Sequence, residues 1–236
     1  YSLMNRLPSS GKVEQSETKL SSRAVFERIE KFHKEKVLSD EIYEIEKKLV
    51  PVIEKMQQSG IEVDASYLAK LSQRFAQRLA KLEQKIYKLA GVKFNASSPQ
   101  QLSQVLFEKL KLEIKGLRKT HGSVISTAAS ELEKLKGQHP IINLILEHRQ
   151  ESKLKSTYTD GLIKLIDSKN GRLHTEFDQL GTSTGRFSSQ SPNLQNIPVK
   201  TEVGNEIRKA FVADEGWQFL SLDYSQIELR LVADLA

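Results

Sequence analysis

Between positions 68 and 89 the chain places Leu68, Leu71, Phe75, Leu79, Leu82, Ile86 and Leu89 at successive spacings of 3, 4, 4, 3, 4 and 3 residues. A strand cannot gather such a set on one face, because its side chains alternate with a period of two. A helix collects them into one narrow seam of the coiled-coil kind. The spacing therefore predicts a long helix that must bury one stripe against other helices. Gly91 ends it, since glycine enters the left-handed C-terminal cap without strain.

Similar patterns flank this helix. Asp40 to Ser59 reads as a helix with Ile42, Ile45, Leu49, Val52 and Met56 on one face. Pro51 is expected to kink it or start a new segment. Gly60 closes it, and Ile61-Glu62-Val63 is a short extended link. Ser98-Pro99 marks another helix start, with proline at the first helical position and Leu102, Val105, Leu106 and Leu110 following. Helical periodicity returns from Ala128 to Lys136 and from Pro140 to about Ile166. Asn170-Gly171 is a turn, and Arg172 to Phe177 alternates like a strand.

The expected fold class is α+β, mostly helical. Residues 1–39 form a linker or a remnant of an upstream region, and their first 22 are polar and serine-rich. Residues 40–167 form an elongated helical domain. Residues 168–236 begin a mixed α/β domain. Within 111–130, Lys111, Lys115, Arg118, Lys119 and His121 surround Gly116 and Gly122. This segment is either a mobile basic tip that touches phosphates or an ordinary solvated loop.

Composition narrows the function. The net charge of +6 favours a polyanionic partner. The absence of cysteine excludes disulfides and thiolate metal sites. No apolar run reaches the roughly 18 residues of a membrane span, and no secretory signal opens the chain, so a cytoplasmic protein is expected. The five histidines show no ligand spacing. No phosphate-cradling glycine loop is present.

Two segments carry chemistry. The first is Trp217-Gln218-Phe219-Leu220-Ser221-Leu222-Asp223, read as an apolar strand that stops on a carboxylate and turns into a helix. A carboxylate at the end of a buried strand is a rigid ligand for Mg²⁺, although the same residue also suits a turn or a cap. Ser225 and Glu228 fit a capping box. The second segment runs from Thr182 to Pro198. Its end, Pro192-Asn193-Leu194-Gln195-Asn196-Ile197-Pro198, is bracketed by prolines, which disfavours a helix or central strand. Its amides suit either nucleic-acid edges or a self-capped surface turn.

Asp223-Tyr224-Ser225-Gln226-Ile227-Glu228-Leu229-Arg230 resembles the first catalytic motif of family-A DNA polymerases, the bacterial DNA polymerase I group. Thr182-Ser183-Thr184-Gly185-Arg186-Phe187-Ser188-Ser189, with Pro192 to Pro198, resembles a second segment of that family, with Phe187 where leucine is usual. Lys153-Leu154-Lys155-Ser156-Thr157-Tyr158 and Asn95 to Leu102 are also similar to the family. The resemblance spans roughly residues 40–236. It implies a helical thumb followed by the first part of a palm. It implies template-directed DNA synthesis in replication or repair, from deoxynucleoside triphosphates on primer-template DNA, by a monomer that uses two Mg²⁺ ions.

Under that resemblance Asp223 and the Tyr224 carbonyl bind metal, and Glu228 occupies the space of a ribose 2′-hydroxyl. Arg186 probes the minor groove, where every base pair offers an acceptor. Asn193, Gln195, Asn196 and Gln226 contact DNA. Lys153, Lys155, Ser156 and Thr157 hold phosphates, which positions DNA without reading its sequence. Lys119, from the basic 111–130 segment and not from a family motif, is a further candidate phosphate contact. Arg230 is expected to pair with a carboxylate. The family's fingers helix and its second metal-binding carboxylate have no counterpart in this sequence, and Asp214, Glu215 and Asp234 are poorly placed to substitute. The expectation is a chain that binds DNA weakly and does not polymerise alone. Two alternatives are a non-catalytic DNA-binding module and a fragment of a single-subunit RNA polymerase.

Overall fold

A computed structural model describes residues 21–119, 124–199 and 201–236. The expected terminal linker up to residue 20, together with His121 and Gly122 of the basic segment, lies outside the described residues.

The first described element is α1 (Ser22–Lys34), whose first turn is capped by Ser21 Oγ accepting from the Ala24 amide. No helix was expected here. Its signal is a short amphipathic stretch: Val25, Ile29 and Phe32 turn towards α2 (Asp40–Ser59). Residues 21–39 are therefore not a bare linker. Ile29, Leu38, Val50 and Leu180 form a small core at this helix pair. The α2 bounds match the sequence reading, but α2 runs on through Pro51 rather than restarting there.

The buried stripe of α2 also differs from the expected one. Glu46, Val50 and Ile53 are buried, whereas Ile45, Val52 and Met56 are about half exposed. The sequence holds two overlapping apolar stripes one residue apart, and contact with α1 and Leu180 selects the one containing Val50. Val52 and Met56 instead line a groove of about 510 Å³ with Ile61, Leu173, Phe177 and Leu194.

After β1 (Ile61–Val63) comes α3 (Ala65–Ala90), with Asp64 as N-cap and Gly91 in the left-handed C-cap at φ 65°. Leu68, Leu71, Phe75, Leu82 and Ile86 are buried as the seam requires. At the last turn Leu89 points outward and Ala90 takes its place inside. The chain then forms α4 (Pro99–Ser103), capped by Ser98, and a wider π-type turn over Gln104–Lys109. Next come α5 (Ala129–Glu133) and α6 (Ile141–Leu154). The latter continues through a π-type segment, Lys155–Asp160, into α7 (Gly161–Ile163). Helix α6 lies along α3. Ile86, Leu102, Leu106, Leu132, Ile141 and Ile145 close the core at the far end of this pair.

The strand expected over 172–177 is two strands. β2 (Arg172–Leu173) pairs antiparallel with β1, Ile61 facing Leu173. β3 (Glu176–Asp178) pairs instead with β4 (Ser188–Gln190). Thr175 marks the change of sheet, its hydroxyl donating to the carbonyl oxygens of Gln190 or Pro192. Helix α8 (Glu202–Arg208) leads into β5 (Phe211–Val212), which covers the other edge of β1. The main core joins Val63, Leu68, Leu71 and Phe75 to Leu154, Tyr158, Leu173, Ile197 and Ile207. It thus straddles residue 167, the boundary expected between the helical and the mixed α/β parts.

The final segment corrects a central expectation. Residues 217–224 form no strand, and Trp217, Phe219, Leu220, Leu222 and Tyr224 are 62–84% exposed. A strand needs a hydrogen-bonded neighbour, and among the described residues this segment has none. α9 (Ile227–Leu235) follows it.

Candidate nucleic-acid interface

The Thr182–Pro198 segment is held from several directions. Thr182 Oγ1 donates to the Arg186 carbonyl oxygen at 2.7 Å, closing a small loop around Gly185. Gly185 has φ 75°, which glycine adopts without steric cost. This loop presents the Arg186 side chain to solvent. Past β4, the chain is braced by Gln195. Its Oε1 accepts from the Ser189 amide at 3.1 Å, and its Nε2 donates to the Phe187 carbonyl at 2.9 Å. Asn193 Oδ1 accepts from the amides of Gln195 and Asn196. These two side chains therefore shape the loop first. Asn196 is exposed and keeps its side-chain amide without a hydrogen bond among the described residues.

The Asn196 carbonyl accepts from the Tyr158 hydroxyl, and Ile197 packs in the core with Tyr158 and Leu154. This joins the proline-bracketed segment to the Lys153–Tyr158 patch. Within that patch Lys153 and Thr157 are exposed. Lys155 Nζ lies 2.5 Å from Asp160 Oδ2, and Ser156 Oγ donates to the Lys153 carbonyl. Burial of the Tyr158 ring raises its hydroxyl pKa, so it remains a donor. Lys119 is exposed and sits on an isolated bridge with Ile125. Among the described residues no hydrogen bond or ion pair ties Lys119 to the other candidates.

At the Asp223–Arg230 motif, α9 begins at Ile227 with Gln226 as N-cap at φ 53°, and no side chain caps it. The capping box expected from Ser225 and Glu228 does not form. Glu228 Oε1 instead meets Arg186 Nη2 at 2.7 Å, across 42 residues. Neither motif foretells this pairing, because an ion pair between two exposed residues leaves no periodicity. Arg230 Nε donates to the Ser225 carbonyl rather than to a carboxylate. Asp223 and Tyr224 are exposed on the irregular run that precedes α9. Asp214 is engaged by Arg172 at 2.6 Å. That hydrogen bond is the main cause that holds the Asp214 carboxyl below its ordinary pKa.

The donor set bears on any metal. Mg²⁺ needs several oxygen ligands in near-octahedral order. Among the described residues no three His, Asp or Glu side chains gather in a way that could hold an ion. Asp223 and the Tyr224 carbonyl do not make up such a site by themselves.

The model of DNA polymerase family A matches residues 65–236. The chain belongs to DNA polymerase family A. It is 48% identical over 204 residues to a DNA polymerase I of Chloroflexus aurantiacus, covering 86% of this chain and 22% of that relative. It is 49% identical over 193 residues to the thermostable DNA polymerase I of Thermus aquaticus, covering 82% of this chain and 23% of that relative. Among solved structures it is similar to the polymerase domain of Pol1 from M. smegmatis, in complex with DNA primer-template and dNTP. The identity there is 40% and the TM-score 0.68, over 78% of this chain and 32% of that one. This family-A chain thus spans less than a quarter of the two curated relatives. No described helix is long and apolar enough to cross a membrane.

Proposed function

We propose that this chain is the primer-template-gripping part of a cytoplasmic, monomeric DNA-directed DNA polymerase. The observation that carries this reading is the meeting of Arg186 and Glu228, which brings the two family-like motifs together. In it Arg186 enters the minor groove beside the primer end, and Glu228 bars a ribose 2′-hydroxyl. Asn196 and Gln226 add polar contacts. Lys153, Thr157 and Lys119 hold phosphates from exposed positions, with Lys155 and Ser156 behind them. Asn193 and Gln195 act mainly by shaping the loop. Asp223 and the Tyr224 carbonyl supply one side of a divalent-metal site whose remaining ligands are not among the described residues. When bound, that metal serves nucleotidyl transfer from a deoxynucleoside triphosphate.

A second reading, a DNA-binding module without chemistry, is favoured by the lack, among the described residues, of any three His, Asp or Glu side chains gathered so as to hold a metal ion. One experiment addresses both. The purified chain is given labelled primer-template, Mg²⁺ and four deoxynucleotides. The expected result is duplex binding that weakens steeply with salt, without extension. Templated extension overturns the claim of inactivity, and failure to bind at low salt overturns the grip. Asp223→Ala with unchanged Mg²⁺ dependence favours the pure binding module.

A further inference from the structure

The root of the Arg186 loop is fixed to the first two helices, which neither motif includes. Gln179 and Glu46 are 2% and 8% exposed, and they are 133 residues apart in sequence. Gln179 Nε2 donates to the Glu46 backbone carbonyl at 3.0 Å and to Glu46 Oε2 at 2.6 Å. No Lys, Arg or His lies in ion-pair contact with Glu46 among the described residues. Burying a carboxylate with only an amide donor is costly. That cost shows as a Glu46 pKa raised by burial, against the lowering effect of Gln179. A buried apolar pair would fill the same space without it. What the polar pair adds is direction, because one amide must satisfy two acceptors at set angles.

The residues on either side of Gln179 are held by the same helices. Arg28 of α1 reaches both oxygens of Asp178 at 3.2 Å, and Asp178 Oδ1 accepts from the Leu180 amide at 2.9 Å. Leu180 inserts between Ile29, Leu38 and Val50. Gly181 then passes so close to β4 that a Cβ there would stand 2.2 Å from Ser188 Oγ. Residues 178–181 are thus pinned one after another, and Thr182 starts the loop that closes on Arg186.

We propose that α1 and α2 form a brace that sets where Arg186 stands, with Glu46 and Gln179 as its central positioning pair. The functional part of this inference rests on the reading that Arg186 meets DNA. The brace itself does not.

The test measures binding of a fluorescent primer-template duplex to the full chain by anisotropy. Glu46→Ala is expected to weaken binding about five- to tenfold, the equivalent of one hydrogen bond of ordinary strength. Glu46→Gln keeps an acceptor for Gln179 and is expected to restore affinity to within about twofold. In an Arg186→Ala background Glu46→Ala is expected to add less than about twofold, because its effect runs through Arg186. Equal loss in both backgrounds overturns the positioning role. Amide exchange of residues 182–187 without DNA provides a separate readout. Faster exchange in Glu46→Ala supports the brace, and unchanged exchange overturns it. If the unmutated chain binds no duplex, the DNA reading fails while the exchange result still decides the brace. If Glu46→Ala does not fold, Arg28→Ala, at a side chain about one-third exposed, is carried through the same cycle with the same outcomes.

Discussion

Residues 173–198 and residues 217–236 each hold one of the two family motifs, but the fold treats them differently. In the first, Leu173, Leu180, Ser189 and Ile197 are buried, and both ends of the loop are tied to helices. In the second, five apolar side chains between Trp217 and Tyr224 face solvent and no strand partner is present among the described residues. Motif strength and structural support are thus separate properties. The root of the Arg186 loop is held by residues between Arg28 and Val50, far from it in sequence. Asp223 has no comparable scaffold among the described residues.

The contrast is most open to attack by truncating apolar side chains on each side of it. Phe75 is 1% exposed at the centre of the main core, so Phe75→Ala is expected to cost about 3–5 kcal/mol in urea unfolding. Leu222 is 84% exposed, and Leu222→Ala should stay within about 0.5 kcal/mol. A cost above about 2 kcal/mol at Leu222 would show that its segment packs in solution, and the contrast would fail. Hydrogen exchange sharpens the same point. Amides of α3 and α6 should exchange far more slowly than those of 217–236, since a short helix such as α9 is marginal without packing. The sole tryptophan, Trp217, is 76% exposed and should be quenched freely by acrylamide. Protection of Trp217 would again place this segment in a core.

Much of the helical architecture was legible because periodicity and caps are local. The α2 bounds, the α3 seam with its Gly91 stop, and the Ser98-Pro99 start all rest on neighbours within a few residues. The errors lie where a partner distant in sequence decides. Val50 rather than Val52 is buried because Leu180 and α1 lie on that side. The 172–177 alternation splits because β1 and β4 claim different halves of it. The apolar run before Asp223 reads as a buried strand because its hydrophobicity is real, yet hydrophobicity alone supplies no hydrogen-bonding neighbour. At the site, the identity of Arg186 and Glu228 was legible from the motifs, whereas their ion pair and the Glu46–Gln179 contact were not.

Smaller effects separate the root of the first segment from the free tip of the second. Burial raises the Glu46 pKa above its ordinary value of 4.5. Between that value and the raised one, the folded chain holds the proton more tightly than the unfolded chain. The favourable contribution is therefore complete below pH 4.5 and is lost as pH rises through the folded-state pKa. Glu46→Gln should remove this slope and leave the variant relatively more stable near neutrality. Urea unfolding of both proteins across the acid-to-neutral range measures it. Parallel curves would mean that Glu46 is solvated, and that the root of the loop is no more enclosed than the Asp223 segment.

The smallest effect belongs to the contact that joins the two segments. Arg186 and Glu228 meet at 2.7 Å, with side chains 76% and 67% exposed. Water competes for both groups, and ordering two long side chains costs entropy, so a pair of this kind contributes about 0.2–1 kcal/mol. A double-mutant cycle with Arg186→Ala and Glu228→Ala should give a coupling in that range, fading as salt shortens the Debye length below about 10 Å. A contact this weak holds Arg186 near the Asp223 turn, and under the proposed DNA reading it would yield Arg186 to a phosphate-lined groove at little cost. Glu228→Gln should accordingly raise duplex affinity by less than about threefold. A salt-insensitive coupling above about 2 kcal/mol would mean that the pair is desolvated. The braced loop would then anchor the Asp223 turn, and the two segments would behave as one unit.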